Sequence, residues 1–263
     1  MAWTEGPVPL WWEEQGKGEP LLLVMGHIYG MRMWHRVVPV LAERYRVISF
    51  DNRGIGKSRP AAGPHSIADM AHDAFAVLDA AGVTSAHVYG ASMGGLIAQE
   101  MALSRPDRIR SLVLGCTGCP GDETSPSARF AALKYRIPLR LFAPLMKKSM
   151  YGASTEQDLI EEDVRILLDI PVAPQALVAQ ARGIAAFRSR ARVADIAVPV
   201  LVLHGTEDKV VPVERGHELH HAIPHSRLLL LEGAGHNYTT DATALANQAV
   251  LDFLDQQEVP AIP

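Results

Sequence analysis

Five residues, Gly90-Ala91-Ser92-Met93-Gly94, match the pattern G-x-S-x-G. In that spacing a serine rides a sharp turn between a strand and a helix, with its hydroxyl exposed. Apolar residues run up to Gly90 as at the end of a buried strand. Leu96, Ile97 and Met101 beyond it follow helical spacing, so the flanks read as strand and then helix. Glycines at 90, 94 and 95 let the turn tighten, and the new helix aims its free N–H groups at whatever Ser92 attacks. The competing reading is a tight serine-bearing turn without chemistry; the two flanks favour a nucleophile.

A serine hydroxyl is a weak nucleophile until a base takes its proton, and a carboxylate must hold that base in one tautomer. Two later segments supply such groups, each after an apolar run: Gly205-Thr206-Glu207-Asp208 and Glu232-Gly233-Ala234-Gly235-His236. The chain order Ser92, Asp208, His236 is the one expected with a nucleophile turn of this kind. Glu207 competes with Asp208 for the acid's place, and the G-x-x-D spacing favours Asp208. His236 competes with the plainer reading of a loop histidine.

Three further motifs carry chemistry on paper. His217-Glu218-Leu219-His220-His221 satisfies H-E-x-x-H, a zinc-protease pattern. It falls on a flanking helix between the acid and base segments, where a charged face is normally solvated, so no metal is expected there. Gly56-Lys57-Ser58 matches the end of a phosphate-binding loop, but Asp51 stands where that loop needs its first glycine. Cys116 and Cys119 form C-x-x-C without a second ligand pair, and read as loop thiols after a strand.

The elements that must position these groups follow from periodicity. Ala2 to Gln15 reads as two short strands turned at Glu5-Gly6-Pro7. Leu21 to Met25 is continuously apolar, as suits a central strand covered on both faces. Trp34 to Arg44 has helical spacing, and Tyr45 to Phe50 is the next strand. Ser66-Ile67-Ala68-Asp69 is a capped helix start whose apolar stripe stops near Gly82. Strands at Ile109 to Gly115, Val198 to His204 and Leu228 to Leu231, with helices after Pro212 and from about Ala242 to Asp255, continue the alternation. Such alternation implies an α/β chain with a mostly parallel central sheet and helices on both faces. Reactive groups then gather in loops beyond the carboxyl ends of the strands. From Pro120 to about Asp195 the alternation stops. Helix-like pieces broken by Pro126, Pro138, Pro144, Pro171 and Pro174 predict an inserted helical cap. The expected division is a core of 1–119 and 196–263 with a cap of 120–195. Within the cap, Phe130, Leu133, Ile137, Leu141, Phe142 and Leu145 are mixed with Arg129, Lys134, Arg136 and Arg140, a pattern for amphipathic helices with one buried face, which either roofs the cleft over Ser92 or only shields the core edge.

The whole chain bounds the partners. A length of 263 residues with 48% hydrophobic residues is ample for one core domain with an insertion. A formal charge of −4 offers no basic footprint for nucleic acid. No charged-then-apolar leader precedes the first strand, and no apolar run approaches the roughly 18 residues of a membrane span. The expectation is a cytoplasmic protein acting on a small, largely apolar molecule, with no membrane partner; its oligomeric state is left open.

Together the motifs resemble the α/β-hydrolase fold family, and within it the small esterases and enol-lactonases that carry a helical cap. The resemblance runs nearly end to end, through Gly26-His27, Asp51 to Ser58, Gly90 to Gly94, Gly205 to Asp208 and Gly233 to His236. It implies Ser92, Asp208 and His236 as a catalytic triad acting on an ester or lactone, without a cofactor. It also implies an oxyanion hole made by the backbone N–H groups of Met93 and His27. The His27 ring either faces the pocket or stacks against the cap. Met25, Met31, Met33 and Met93 suggest an apolar pocket, core filling being the plainer reading. Met25 departs from the pattern, since many similar enzymes carry histidine there. Serine at position 92 argues against dehalogenase or epoxide-hydrolase chemistry, whose enzymes use aspartate. Carbon–carbon bond hydrolysis, cofactor-free perhydrolysis and a ligand receptor with a vestigial triad are the alternatives.

Overall fold

The computed structural model describes residues 1–61, 63, 65–121 and 147–257. Its eight strands are β1 (Ala2–Trp3), β2 (Trp11–Gln15), β3 (Pro20–Val24), β4 (Arg46–Phe50), β5 (Ala86–Ala91), β6 (Ile109–Gly115), β7 (Val200–Gly205) and β8 (Arg227–Leu231). They form one sheet in the order β1-β2-β4-β3-β5-β6-β7-β8. The pairs β1–β2 and β2–β4 are antiparallel and the other five are parallel. The parallel part needs cover on both faces, and its sequence supplies it. Leu22 and Val24 point with Ile48, Val88, Leu112 and Val202 into one apolar layer; Leu21 and Leu23 point with Val47, Tyr89, Val113 and Leu203 into the other.

Helices α1 (Val38–Leu41), α2 (Ile67–Ala80) and α3 (Met93–Ser104) belong to the first half of the chain. The start of α2 is the capping box anticipated from sequence. The Ser66 hydroxyl accepts from the Asp69 N–H while the Asp69 carboxylate accepts from the Ser66 N–H, which stabilises the helix by about 1 kcal/mol. One expectation fails here. Trp34 to Arg44 is not one helix but a tight turn at Met31–Trp34 followed by the short α1. Pro39 is the reason: it has no N–H to give to the carbonyl one turn earlier, so it can stand in the first turn of a helix but not continue one begun at Trp34.

Between β6 and β7 the described residues form α4 (Gln157–Asp169) and α5 (Pro174–Ala186), separated at Pro171 and Pro174. Ile160, Leu167, Ile170 and Leu177 from this region pack in the same apolar layer as Met25, Ile28, Tyr29, Met33 and Trp34 beyond the end of β3. The segment leaves and rejoins the core at one place, because the Pro120 carbonyl accepts from the N–H groups of Ser189 and Arg190. The stretch Phe130 to Met146, with the expected amphipathic helices, lies outside the described residues. Downstream come α6 (Val213–Ala222), the one-turn α7 (Tyr238–Asp241) and α8 (Thr243–Asp255). Among the described residues no helix is long and apolar enough to cross a membrane.

Candidate active site

β5 delivers the chain to Ala91 and α3 begins at Met93, leaving Ser92 alone between them at φ 55° and ψ −117°. Side-chain-bearing residues rarely adopt such a backbone, so the surroundings must hold it. The Ser92 N–H donates to the Gly115 carbonyl of β6 at 2.8 Å, and the Ser92 carbonyl accepts from the Gly95 N–H at 2.9 Å. Glycine is required beside it: a side chain at Gly94 would collide with the Val24 carbonyl, and one at Gly90 with the Gly94 carbonyl. The other described non-glycine residues with positive φ are Ile28 (69°), in the loop after β3, and Cys116 (43°), directly after β6. Backbone strain is thus gathered at the carboxyl ends of three adjacent strands.

The acid and base segments are zipped together as extensions of β7 and β8. Thr206 N–H donates to Leu231 O, Glu207 N–H to Ala234 O, and Gly233 N–H to the Thr206 hydroxyl. This brings Asp208 and His236 face to face, with His236 Nδ1 donating to Asp208 Oδ2 at 2.7 Å. The other oxygen, Oδ1, accepts from the N–H groups of Val210 (2.8 Å) and Val211 (2.9 Å). Burial acts to raise the Asp208 carboxyl, but the His236 ring and those two amides outweigh it and hold it below its ordinary value. Glu207 turns away and accepts from the Ala153 N–H at 2.8 Å. His236 Nε2 lies 3.0 Å from Ser92 Oγ. With Nδ1 protonated, Nε2 is the acceptor for the Ser92 hydroxyl proton.

Ser92 and His236 open into a pocket of about 30 Å³ lined by Met25, Tyr29, Met33, Trp34, Ala91 and Cys116, with Asn237, Thr239 and Thr240 on one side. Met93 holds the first helical position, so its N–H has no carbonyl one turn earlier to reach. The His27 ring is turned to the α5 region: its Nε2 lies 3.0 Å from the Leu177 carbonyl. Burial pushes its pKa down to about 4 although that carbonyl acts the other way, so the ring is neutral near pH 7 and Nε2 is the donor.

The remaining motifs have other partners. Glu218 accepts from Arg190 and from Arg215, each at 2.8 Å, and His221 Nδ1 lies 2.7 Å from the His217 carbonyl. Among the described residues, the group with potential metal-ligand atoms within 4.8 Å of one another is Cys116, His204 and Asp208, not the H-E-x-x-H residues. Cys116 and Cys119 are free and buried. The loop ending in Gly56-Lys57-Ser58 is a brace. Asp51 accepts from the N–H groups of Met31 (2.8 Å) and Lys57 (2.9 Å), and the Asn52 side chain donates to the Met25 carbonyl at 2.9 Å, so this loop fixes the segment that carries His27. Sequence reasoning placed Asp51 and Asn52 in a motif of the resemblance without giving them this bracing work, and it passed over Asp163, Asn237 and Asp241 around His236.

The sequence profile of the α/β hydrolase fold family matches residues 19–239. A relative from Azorhizobium caulinodans named "Putative carbamate hydrolase RutD" is 32% identical, covering 94% of this chain and 96% of its own. Among solved structures, a thermophilic esterase from Thermogutta terrifontis superposes with a TM-score of 0.88 at 28% identity, covering 97% of each chain. The enol-lactonase from Burkholderia xenovorans LB400 gives 0.87 at 25% identity, covering 94% of this chain and 97% of its own. On these grounds the chain belongs to the α/β-hydrolase fold family and is a hydrolase of that type.

Proposed function

We propose that the protein is a serine hydrolase that cleaves carboxylic esters or lactones of small, largely apolar substrates through an acyl-enzyme. The observation that carries this reading is the unbroken chain from Asp208 through His236 to Ser92, at 2.7 and 3.0 Å, ending in a pocket with methionine and tryptophan walls. In the proposed reaction His236 Nε2 takes the Ser92 proton as Oγ attacks the substrate carbonyl. The imidazolium so formed is stabilised by Asp208. The backbone N–H groups of Met93 and His27 hold the oxyanion. His236 then gives its proton to the leaving alkoxide, and a water deprotonated by the same nitrogen releases the acid. No cofactor enters this sequence.

Residues 120–195 act as the cap in this proposal, and the packing of Ile160, Leu167, Ile170 and Leu177 beside the pocket residues supports it. A carbamate substrate is the second reading, favoured by the name of the 32%-identical relative. The test is a matched panel of esters, lactones and carbamates graded by size. The ester and lactone reading expects kcat/KM on those substrates to exceed that on isosteric carbamates. Preference for carbamates would replace it, and saturable binding with negligible turnover on every member would point to a receptor.

A further inference from the structure

The proposed reaction makes no use of Asp241, a half-buried acid five residues beyond His236 on the one-turn α7. Its surroundings are specific. Oδ2 accepts from the N–H of Gly235 at 2.7 Å and from the N–H of Gly152 at 3.0 Å; Oδ1 accepts from the Thr155 hydroxyl at 2.7 Å. Gly235 is the residue immediately before His236, whereas Gly152 and Thr155 lie on the segment inserted between β6 and β7. One carboxylate therefore ties the backbone of the base to the insertion. On the other side of His236, the N–H of Asn237 donates to the Met150 carbonyl at 2.7 Å. The two segments touch so closely that a side chain at Gly152 would collide with the Gly233 carbonyl, and one at Gly235 would stand 2.6 Å from the Tyr151 carbonyl carbon. A reciprocal bond strengthens the clasp: Thr240, next to Asp241, donates its hydroxyl to the buried Asp163 of α4 at 2.6 Å.

We propose that Asp241 is a positioning residue that seats His236 by fixing the Gly235 amide, and that it does so jointly with Met150–Thr155, so the base is aligned only while the insertion is docked. This rests on the reading of His236 as general base. The reason is geometric. His236 Nε2 must keep hydrogen-bond reach to Ser92 Oγ, and a displacement of about 1 Å in such a group can cost on the order of 10²-fold in rate. Fixing the amide before the ring and the amide after it leaves the ring little backbone freedom in which to drift.

The test is a kinetic split. Asp241→Ala removes both acceptor oxygens, so the N–H groups of Gly235 and Gly152 lose their shared partner. It is expected to lower kcat on a small ester on the order of 10- to 100-fold, with KM within about threefold. The rate of Ser92 labelling by a fluorophosphonate should fall in step, and Asp241→Glu should recover part of it. A loss in which KM rises with kcat unchanged, or activity equal to wild type, overturns the proposal. If Asp241→Ala does not fold, amide exchange in the unaltered protein decides. The N–H groups of Gly152, Gly235 and Asn237 should exchange as one unit, and fast exchange at Gly152 with slow exchange at Gly235 overturns the coupling. Failure here with Ser92 still labelled leaves the hydrolase reading standing, whereas an active protein unlabelled at Ser92 removes both.

Discussion

Two clusters in this chain hold the residue types for hydrolysis, and they differ in how they are supported. His217, Glu218 and His221 stand within five residues on α6, a spacing that places them on one helix face. Their hydrogen bonds are local or external: His221 to its own helix, Glu218 to Arg190 and Arg215. Ser92, Asp208 and His236 are far apart in sequence and are brought together by the order of β5, β7 and β8 in the sheet. Each is then held in place: Ser92 by the Gly115 carbonyl, Asp208 by the N–H groups of Val210 and Val211, and the residues flanking His236 by the Asp241 carboxylate and the Met150 carbonyl. Residue type and spacing nominate both clusters, but only the second is brought together by the sheet and held by groups far away in sequence.

The comparison can be broken by substitution. Ser92→Ala is expected to lower kcat on the order of 10⁶-fold. Asp208→Asn, which keeps the shape but removes the carboxylate that fixes the His236 tautomer, is expected to cost about 10⁴-fold in kcat. Steady-state kinetics on a soluble ester reads both, and a loss under about tenfold for either would put the site elsewhere.

Burial also gives the core side a pH signature. Desolvation lowers the pKa of His27 and of His87 to about 4. Each ring takes up its proton in the unfolded chain near 6.5 but in the folded protein only near 4, so stability is full above 6.5 and falls as pH drops toward 4. The expected slope is up to about 1 kcal/mol per pH unit for each ring. Denaturant titrations from pH 7 to 4.5 should show it, and His87→Gln should lower the slope by up to about 1 kcal/mol per pH unit; an unchanged slope in that variant would contradict the account. The smallest effect belongs to the α6 cluster. Glu218→Gln loses two surface ion pairs and should cost roughly 0.2–1 kcal/mol in stability, with kcat within about twofold of wild type before and after dialysis against EDTA. Activity lost with EDTA and restored by zinc would reverse the ranking of the two clusters.

Much of this arrangement is legible in the chain. The sheet can be read because Leu21 to Val24 and Leu112 to Leu114 are apolar without alternation, and α2 because Ser66 and Asp69 sit three apart ahead of an apolar stripe. Ser92, Asp208 and His236 stand out as candidates because each follows an apolar run and each lies within three residues of a glycine. The break at Pro39 is legible too, but periodicity through Val37, Val38 and Leu41 masks it. What sequence does not disclose is the work of Asp51, Asn52, Asp163 and Asp241. Each acts on a backbone or hydroxyl group brought near by the fold, and no local spacing records which distant group a carboxylate will meet.

The central claim is that Ser92 is the nucleophile, and covalent labelling tests it most directly. An active preparation treated with a fluorophosphonate, digested and mapped by mass spectrometry, should carry one adduct, on Ser92, with activity falling in proportion to its occupancy. An adduct on another serine, or full activity retained with Ser92 modified, would contradict the account.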